Sequence, residues 1–303
     1  MVRRFLCILL SLFFCLSAAS AEGSSAATLE DVTEYPPAEY TFKKSRVASY
    51  QSDTLIYTIE SFTLDSIQCY LTKIWVKDPE RQIRKVNAPW GTDLAKPMVL
   101  AKSVPEIVLA ANASGYITER YPDIPESYPG TPEDYYFTTL GSLVITDGEV
   151  LRYLNGIPFY GLALSGNGID LYRGADPETV LMTDPRQTWA FFEPCAMQAF
   201  GVDLLPETDT WPLADRNHRR TILARVNRNN YLLLHVRRNN NAYGLSLHRL
   251  NRFFSRHFVT EWVYNLDGGP SSALMYKTQK KNARLTLLAE NEQRVADIIG
   301  FTE

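Results

Sequence analysis

The strongest constraint on this chain is that its apolar residues come in short β-branched and aromatic runs, each closed by a turn signal. Residues 54–59 and 68–76 alternate with a period of two, and Asp78-Pro79 stops the second run. Residues 107–111 are continuously apolar, the pattern of a strand buried on both faces. Residues 142–153 predict a hairpin turning at Asp147-Gly148, since Asp-Gly tolerates the positive φ that such a turn needs. Further strands are expected at 161–164, 169–172, 222–226 and 231–236, the last two joined by an Asn-rich turn. Helical spacing is clearest at Leu247, Leu250, Phe254 and Phe258, which with Ser246 as N-cap predict an amphipathic helix over 247–257. A short helix is expected within 180–188, and the spacing of Val295, Ile298 and Ile299 predicts another from Glu290 to the end. This balance points to an α+β fold: a single domain built on a mixed, mainly antiparallel sheet with a few covering helices.

The N-terminus reads as a targeting segment. Arg3-Arg4 precede an apolar core too short to span a bilayer, and Ala19-Ser20-Ala21 offers a small-residue cleavage site. The expected organisation is a signal peptide over 1–21, a flexible tether rich in Ser, Ala, Glu and Pro over 22–50, and a folded domain over 51–303. Such a protein is exported to the envelope or the medium, with no transmembrane segment left after cleavage. Cleavage leaves Cys69 and Cys195, which either pair in an oxidising compartment or serve as buried small hydrophobes. The spacing of Cys and His supports no zinc site. The 31 basic residues against 34 acidic ones argue against a nucleic-acid partner, which calls for a positive surplus. Residues 119–134, crowded with Pro, Tyr and acids, are expected to form a long surface loop.

Chemistry concentrates at apparent strand ends. Trp262 to Tyr276 delivers Asp267 onto Gly268-Gly269-Pro270, with Ser271 and Ser272 following before apolar alternation resumes. Glycines allow close approach of a ligand to the backbone, so the loop suits a sugar or phosphate. The same Asp-Gly pair also suits an ordinary hairpin turn. Asn112 leaves the buried run 107–111 with an amide that can donate and accept at once, or that satisfies a turn. Asn112-Ala113-Ser114 also has the form of a glycosylation acceptor. Arg220-Thr221 and Arg237-Arg238 lie in a stretch, 216–238, with several arginines and no acid, which favours an anion site. The four histidines have no spacing that links them to a nucleophile.

In order and spacing these stations resemble the phosphodiester glycosidase family. That family includes the lysosomal "uncovering" enzyme, which removes N-acetylglucosamine from mannose 6-phosphate, and bacterial proteins associated with exopolysaccharide biosynthesis. The resemblance is carried by Trp75 to Asp78, Ile107 to Ala113, Gly141 to Gly148, Ala199-Phe200-Gly201, Arg220-Thr221, Gly244 to Leu250 and Asn265 to Ser272. It implies an exported hydrolase acting on a carbohydrate or sugar-phosphate partner. Asp267, Arg220 and Asn112 would be catalytic, with Arg238, Thr221, Gly268, Gly269, Ser271 and Ser272 holding substrate. Asp267 would act either as a base or as an anchor for sugar hydroxyls. Arg220 would stabilise the departing phosphate. The sequence requires no cofactor and decides neither a divalent metal nor an oligomeric state. The chain departs from the family where Asn-Gly-Asp becomes Asn112-Ala113-Ser114 and Asp-Gly-Arg becomes Val236-Arg237-Arg238. Ala224 and Pro270 also replace expected glycines. The lost acids keep a second reading open: a glycan- or phosphoglycan-binding protein, weakened or inactive as an enzyme, on the same scaffold.

Overall fold

The computed structural model describes residues 43–89, 93–116, 143–153, 159–175, 177–190, 196–205, 212–238, 243–288 and 293–303. The expected signal peptide, the loop over 119–134 and Cys195 lie outside the described residues. Along the chain run β1 (Ser45–Gln51), β2 (Leu55–Leu64), β3 (Ile67–Val76), α1 (Pro79–Gln82), β4 (Ile83–Asn87), α2 (Pro97–Ser103) and β5 (Ile107–Asn112). Next come β6 (Leu143–Thr146), β7 (Glu149–Tyr153), β8 (Phe159–Ser165), β9 (Gly168–Ala175), α3 (Pro177–Leu181), β10 (Gln187–Trp189), β11 (Ala196–Ala199) and β12 (Val202–Asp203). The remainder holds α4 (Pro212–Asp215), β13 (Arg220–Asn227), β14 (Asn230–Val236), α5 (Leu247–His257), β15 (Trp262–Asn265), β16 (Leu274–Tyr276), β17 (Thr286–Leu288) and β18 (Asp297–Thr302).

Among the described residues the largest sheet has the order β1-β2-β3-β14-β13-β15-β11-β12, and a second has the order β17-β16-β5-β18-β4. Smaller sheets join β10-β8-β9 and β6-β7. The pairs described run antiparallel, so the parallel component of the expected mixed sheet is not found among them. One face of the large sheet packs Tyr57, Ile59, Leu223, Leu233 and Tyr264 against Leu109, Ala111, Leu274 and Ile299 of the second sheet. Its other face packs Leu71, Ile222, Leu232, Leu234 and Val263 against Leu247, Leu250 and Phe254 of α5. Each valine, leucine, isoleucine or phenylalanine among them contributes about 1.5–3 kcal/mol on burial, which is why the two faces fix the layers. Helix α2 covers the outer face of the second sheet through Leu100 and Ala101.

Helix α5 forms where the spacing places it. Ser246 Oγ accepts a hydrogen bond from Arg249 N (3.3 Å), satisfying one orphan donor of the first turn. Arg256 and His257 sit in its last turn, where a positive charge suits the helix dipole. Three expectations are corrected. The tether does not reach residue 50, because residues 45–51 form an edge strand on β2 whose side chains are mostly exposed and so leave little apolar signal. The helix expected over 180–188 is shorter and earlier, and Gln187–Trp189 instead pairs with β8. The C-terminal helix is a strand: β18 runs between β5 and β4 and is buried along its whole length. A strand buried on both faces carries apolar residues without a period of two, and over so few residues that pattern mimics helical spacing.

Candidate active site

At the end of β15 the chain changes sheets within two residues. Leu266 N still donates to Thr221 O on β13 (2.9 Å), whereas Asp267 N donates to Ala113 O beyond β5 (2.8 Å). The Asp267-Gly268 step is therefore no hairpin turn; it is a crossing from the large sheet to the second one, which β16 then joins beside β5. A Cβ at Gly268 would stand 2.7 Å from Arg219 O, and Gly269 has φ +58°. Both glycines are thus required by the crossing. Their amides are also committed, Gly268 N to Asp267 Oδ1 (2.7 Å) and Gly269 N to Arg219 O (2.9 Å). The two glycines expected to hold substrate therefore have their amides bonded within the protein.

The Asp267 carboxyl is crowded although the residue keeps some exposure at the surface. Burial pushes its pKa up to about 7; hydrogen bonds from Ser271 and Gly268 N pull it down, and the negative charge of Asp297 raises it further. No ion pair of Asp267 is described among the described residues. The result is a carboxyl that gains and loses its proton near neutrality, a property that concentrates at functional sites.

Asn112 is fully buried. Its Nδ2 donates to Asp267 O (2.6 Å), and its Oδ1 accepts from Thr221 Oγ1 (2.8 Å) and Ala273 N (2.9 Å). One amide therefore clasps β5, β13 and both ends of the Asp267 loop. This corrects two expectations: Asn112 is not displayed to a substrate, and it is no glycosylation acceptor. Thr221 is likewise fully buried and spends its hydroxyl on Asn112. Ser271 lies 3.3 Å from the Tyr116 hydroxyl, which donates to Arg294 O (2.7 Å). Ser272 Oγ is buried and has no hydrogen-bond partner among the described residues.

The arginines divide. Arg220 is opposite Val236 on the α5 face of the large sheet, where Nε reaches Leu245 O (3.4 Å) and Nη2 reaches Arg216 O (3.0 Å). Burial lowers its pKa to about 10, so it stays cationic at neutral pH. Its described hydrogen bonds tie the loops below α5 to β13, away from the Asn112 clasp. Arg238 is exposed beyond β14, which β13 separates from β15. Arg219 borders the Asp267 loop through its carbonyl. His218 is depressed by burial and by the charges of Arg220, Arg216 and Arg219, and His235 is held at about 3 by burial, Arg237 and Arg219. Both imidazoles are neutral at pH 7, in a field of positive charge.

The structure thus brings Asn112, Thr221, Asp267 and Ser271 together, while the described hydrogen bonds of Arg220 go to Leu245 O and Arg216 O. The sequence reading missed a buried ion pair behind the clasp, Lys85 Nζ to Asp297 Oδ2 (3.1 Å). An acid inside the apolar run Val295 to Ile299 was the available signal, since carboxylates are rarely buried unless paired. Cys69 is buried, with its thiol pushed up to about 12 by burial. Its pairing with Cys195 lies outside the described residues.

A sequence profile described as phosphodiester glycosidase matches residues 133–302. No curated protein sequence matches the chain. Among solved structures, the catalytic domain of zebrafish N-acetylglucosamine-1-phosphodiester alpha-N-acetylglucosaminidase, auto-inhibited by its pro-peptide, shares the fold with a TM-score of 0.61 at 16% identity. That match covers 87% of this chain and 89% of the zebrafish domain. A hypothetical protein from Synechocystis has a TM-score of 0.52 at 13% identity, over 86% of this chain and 64% of its own.

Proposed function

We propose, because the chain belongs to the phosphodiester glycosidase family, that it hydrolyses the bond between a sugar's anomeric carbon and a phosphodiester. Water attacks the anomeric carbon, and a phosphate monoester leaves with its bonding pair. A phosphate monoester needs little protonation to depart, so the carboxylate chemistry falls mainly at the sugar carbon. Asp267 acts as the base that takes the water's proton, and its pKa near 7 suits that task at neutral pH. Asn112 and Thr221 serve as positioning residues that fix the Asp267 backbone. Arg219, whose carbonyl borders the glycine crossing, adds positive charge that favours the phosphate side of the substrate. Arg3-Arg4 and the apolar core after them support export through a cleaved leader, with envelope or extracellular glycans as the substrate pool.

The observation that carries this reading is the placement of the Asp267 carboxyl on a glycine crossing between two sheets, where burial raises its pKa, in a chain of this family. Full-length protein incubated with a panel of sugar-1-phosphodiesters is expected to release free sugar and phosphate monoester. Asp267→Asn is expected to abolish the release, and unaltered turnover in that variant rejects Asp267 as the base. The second reading, a glycan-binding protein without turnover, is favoured by one specific fact: Ser114 stands where the family resemblance calls for an acid. Calorimetric titration with the same compounds separates the two, since saturable binding without product supports the second reading.

A further inference from the structure

Behind the Asp267 loop lies a buried charge pair that the site as described does not use. Lys85 on β4 and Asp297 on β18 have side chains 1% and 0% exposed. Lys85 Nζ contacts Asp297 Oδ2 at 3.1 Å and donates to Thr188 O at 2.7 Å. Asp297 Oδ1 accepts from Ser114 N at 2.7 Å. Ser114 is in turn held by Ala190, whose N donates to its Oγ at 3.3 Å. Residues 112–114 are therefore gripped from two sides. On one side stands Asp297, and on the other Asp267, whose N and O are bonded to Ala113 O and Asn112 Nδ2. The register of Ile298 opposite Asn112 sets Asp297 beside this segment. With strands about 4.8 Å apart, the two acids straddle it at roughly 10 Å between Cα atoms.

An ion pair sealed between two sheets is a weak source of stability, because desolvating both charges offsets most of their attraction. Its geometry points to another role. We propose that Lys85 and Asp297 are a positioning pair of the reaction centre: Asp297 pins Ser114, and with it the clasp on Asp267, while Lys85 holds Asp297 in place and balances its charge. The pair also supplies a carboxylate next to residue 114, where the chain's own sequence carries serine. This inference rests on the assignment of Asp267 as the reacting carboxylate.

The charged groups around that carboxyl come from several elements. Asp297 approaches from β18 with Lys85 behind it on β4, and Arg152 from β7 faces Lys85. Arg219 borders the glycine crossing, and Tyr116 reaches Ser271. Asp297 raises the proton affinity of Asp267, so removing each member of the pair has an opposite sign. Asp297→Asn leaves Lys85 unopposed and moves the Asp267 midpoint down by about half a pH unit. Lys85→Gln leaves Asp297 unopposed and moves it up by about as much.

The test is a carbon-13 carboxyl titration of Asp267 in the full chain without substrate, together with the acid limb of kcat/KM for sugar-1-phosphodiester hydrolysis. Opposite shifts support the pair, and a packing role moves neither midpoint in that pattern. Midpoints that stay at the parent value, or that move the same way in both variants, overturn it. Where one variant fails to unfold cooperatively in urea, the other still tests the pair by the sign of its own shift, down for Asp297→Asn and up for Lys85→Gln, and the reverse sign or no shift overturns it. The titration also separates this inference from the activity. Opposite shifts in a protein that turns over no phosphodiester leave the pair standing and sink the hydrolase. Turnover with unmoved midpoints does the reverse.

Discussion

The two faces of the large sheet are built from the same strands and do different work. On the α5 face, Ile222, Leu232, Leu234 and Val263 meet a capped helix, and the one cation on β13 there, Arg220, reaches loop carbonyls. On the opposite face, one residue away in sequence, Thr221 joins Asn112 and the crossing that carries Asp267. Arg220-Thr221 looks like one motif in the sequence. In a strand, neighbouring side chains point to opposite faces, so the motif is split between a structural layer and a candidate site.

The sharpest way to break that comparison is to change Asp267 alone. Asp267→Asn keeps an acceptor for Gly268 N and removes the base. We expect kcat on a sugar-1-phosphodiester to fall by about 10³-fold with the fold intact, a loss typical of a deleted acid–base group. Steady-state kinetics beside circular dichroism checks it, and a fall below tenfold moves the chemistry away from this loop. Next in size is Asn112→Leu, which strips three hydrogen bonds from a buried junction and leaves Thr221 Oγ1, Ala273 N and Asp267 O without them. The expected result is a loss of about 3 kcal/mol in urea unfolding and about 10²-fold in kcat. If stability falls and kcat per folded molecule does not, the clasp is scaffolding only.

Arg220→Met tests the other face. Two carbonyls lose their described donor, and a cost of about 2–3 kcal/mol is expected in urea unfolding. In the folded fraction, kcat is expected to change by less than about threefold, because the described hydrogen bonds of Arg220 go to the loops under α5. A loss of kcat on the scale of Asp267→Asn would put Arg220 back at the phosphate and erase the division between faces.

The α5 face was the more legible one for a physical reason. Its signal is local: helical spacing at Leu247, Leu250 and Phe254 and a Ser246 cap sit within one stretch of chain. The strands at 68–76, 107–111 and 231–236 were equally readable, since alternation or continuous apolarity reports directly on how many faces are buried. The site was legible as a place through Asp267 and its glycines, and its wiring was not. Whether Asn112 faces a ligand or clasps a loop depends on Ala273, Thr221 and Asp267, which lie between 109 and 161 residues away. The Lys85–Asp297 pair was hidden for the same reason. Asp297 sits in a segment whose pairing to both β4 and β5 makes it a central strand, and nothing nearby in the sequence records that pairing.

The smallest expected effect concerns stability and separates Asp267 from an ordinary surface acid. An acid whose pKa is raised from 3.8 to about 7 on folding holds its proton in the native state after the unfolded chain has released it. Below about pH 4 both states are protonated and burial of the charge costs nothing. As pH rises from about 4 to 7 the unfolded state binds fewer protons than the native state, so this group's contribution to stability falls. Above about 7 both states are ionised and the penalty is fully present. Asp267→Asn has no such penalty. Urea unfolding of parent and variant is expected to give similar stability near pH 4. The variant's advantage should grow through pH 7 to the order of 2 kcal/mol, after allowance for the solvent that still reaches the residue. Other acids in the molecule titrate alike in both proteins and cancel in the difference. A difference that is flat with pH would mean that Asp267 titrates as a surface carboxylate, and the contrast between the two faces would then lose its chemical basis.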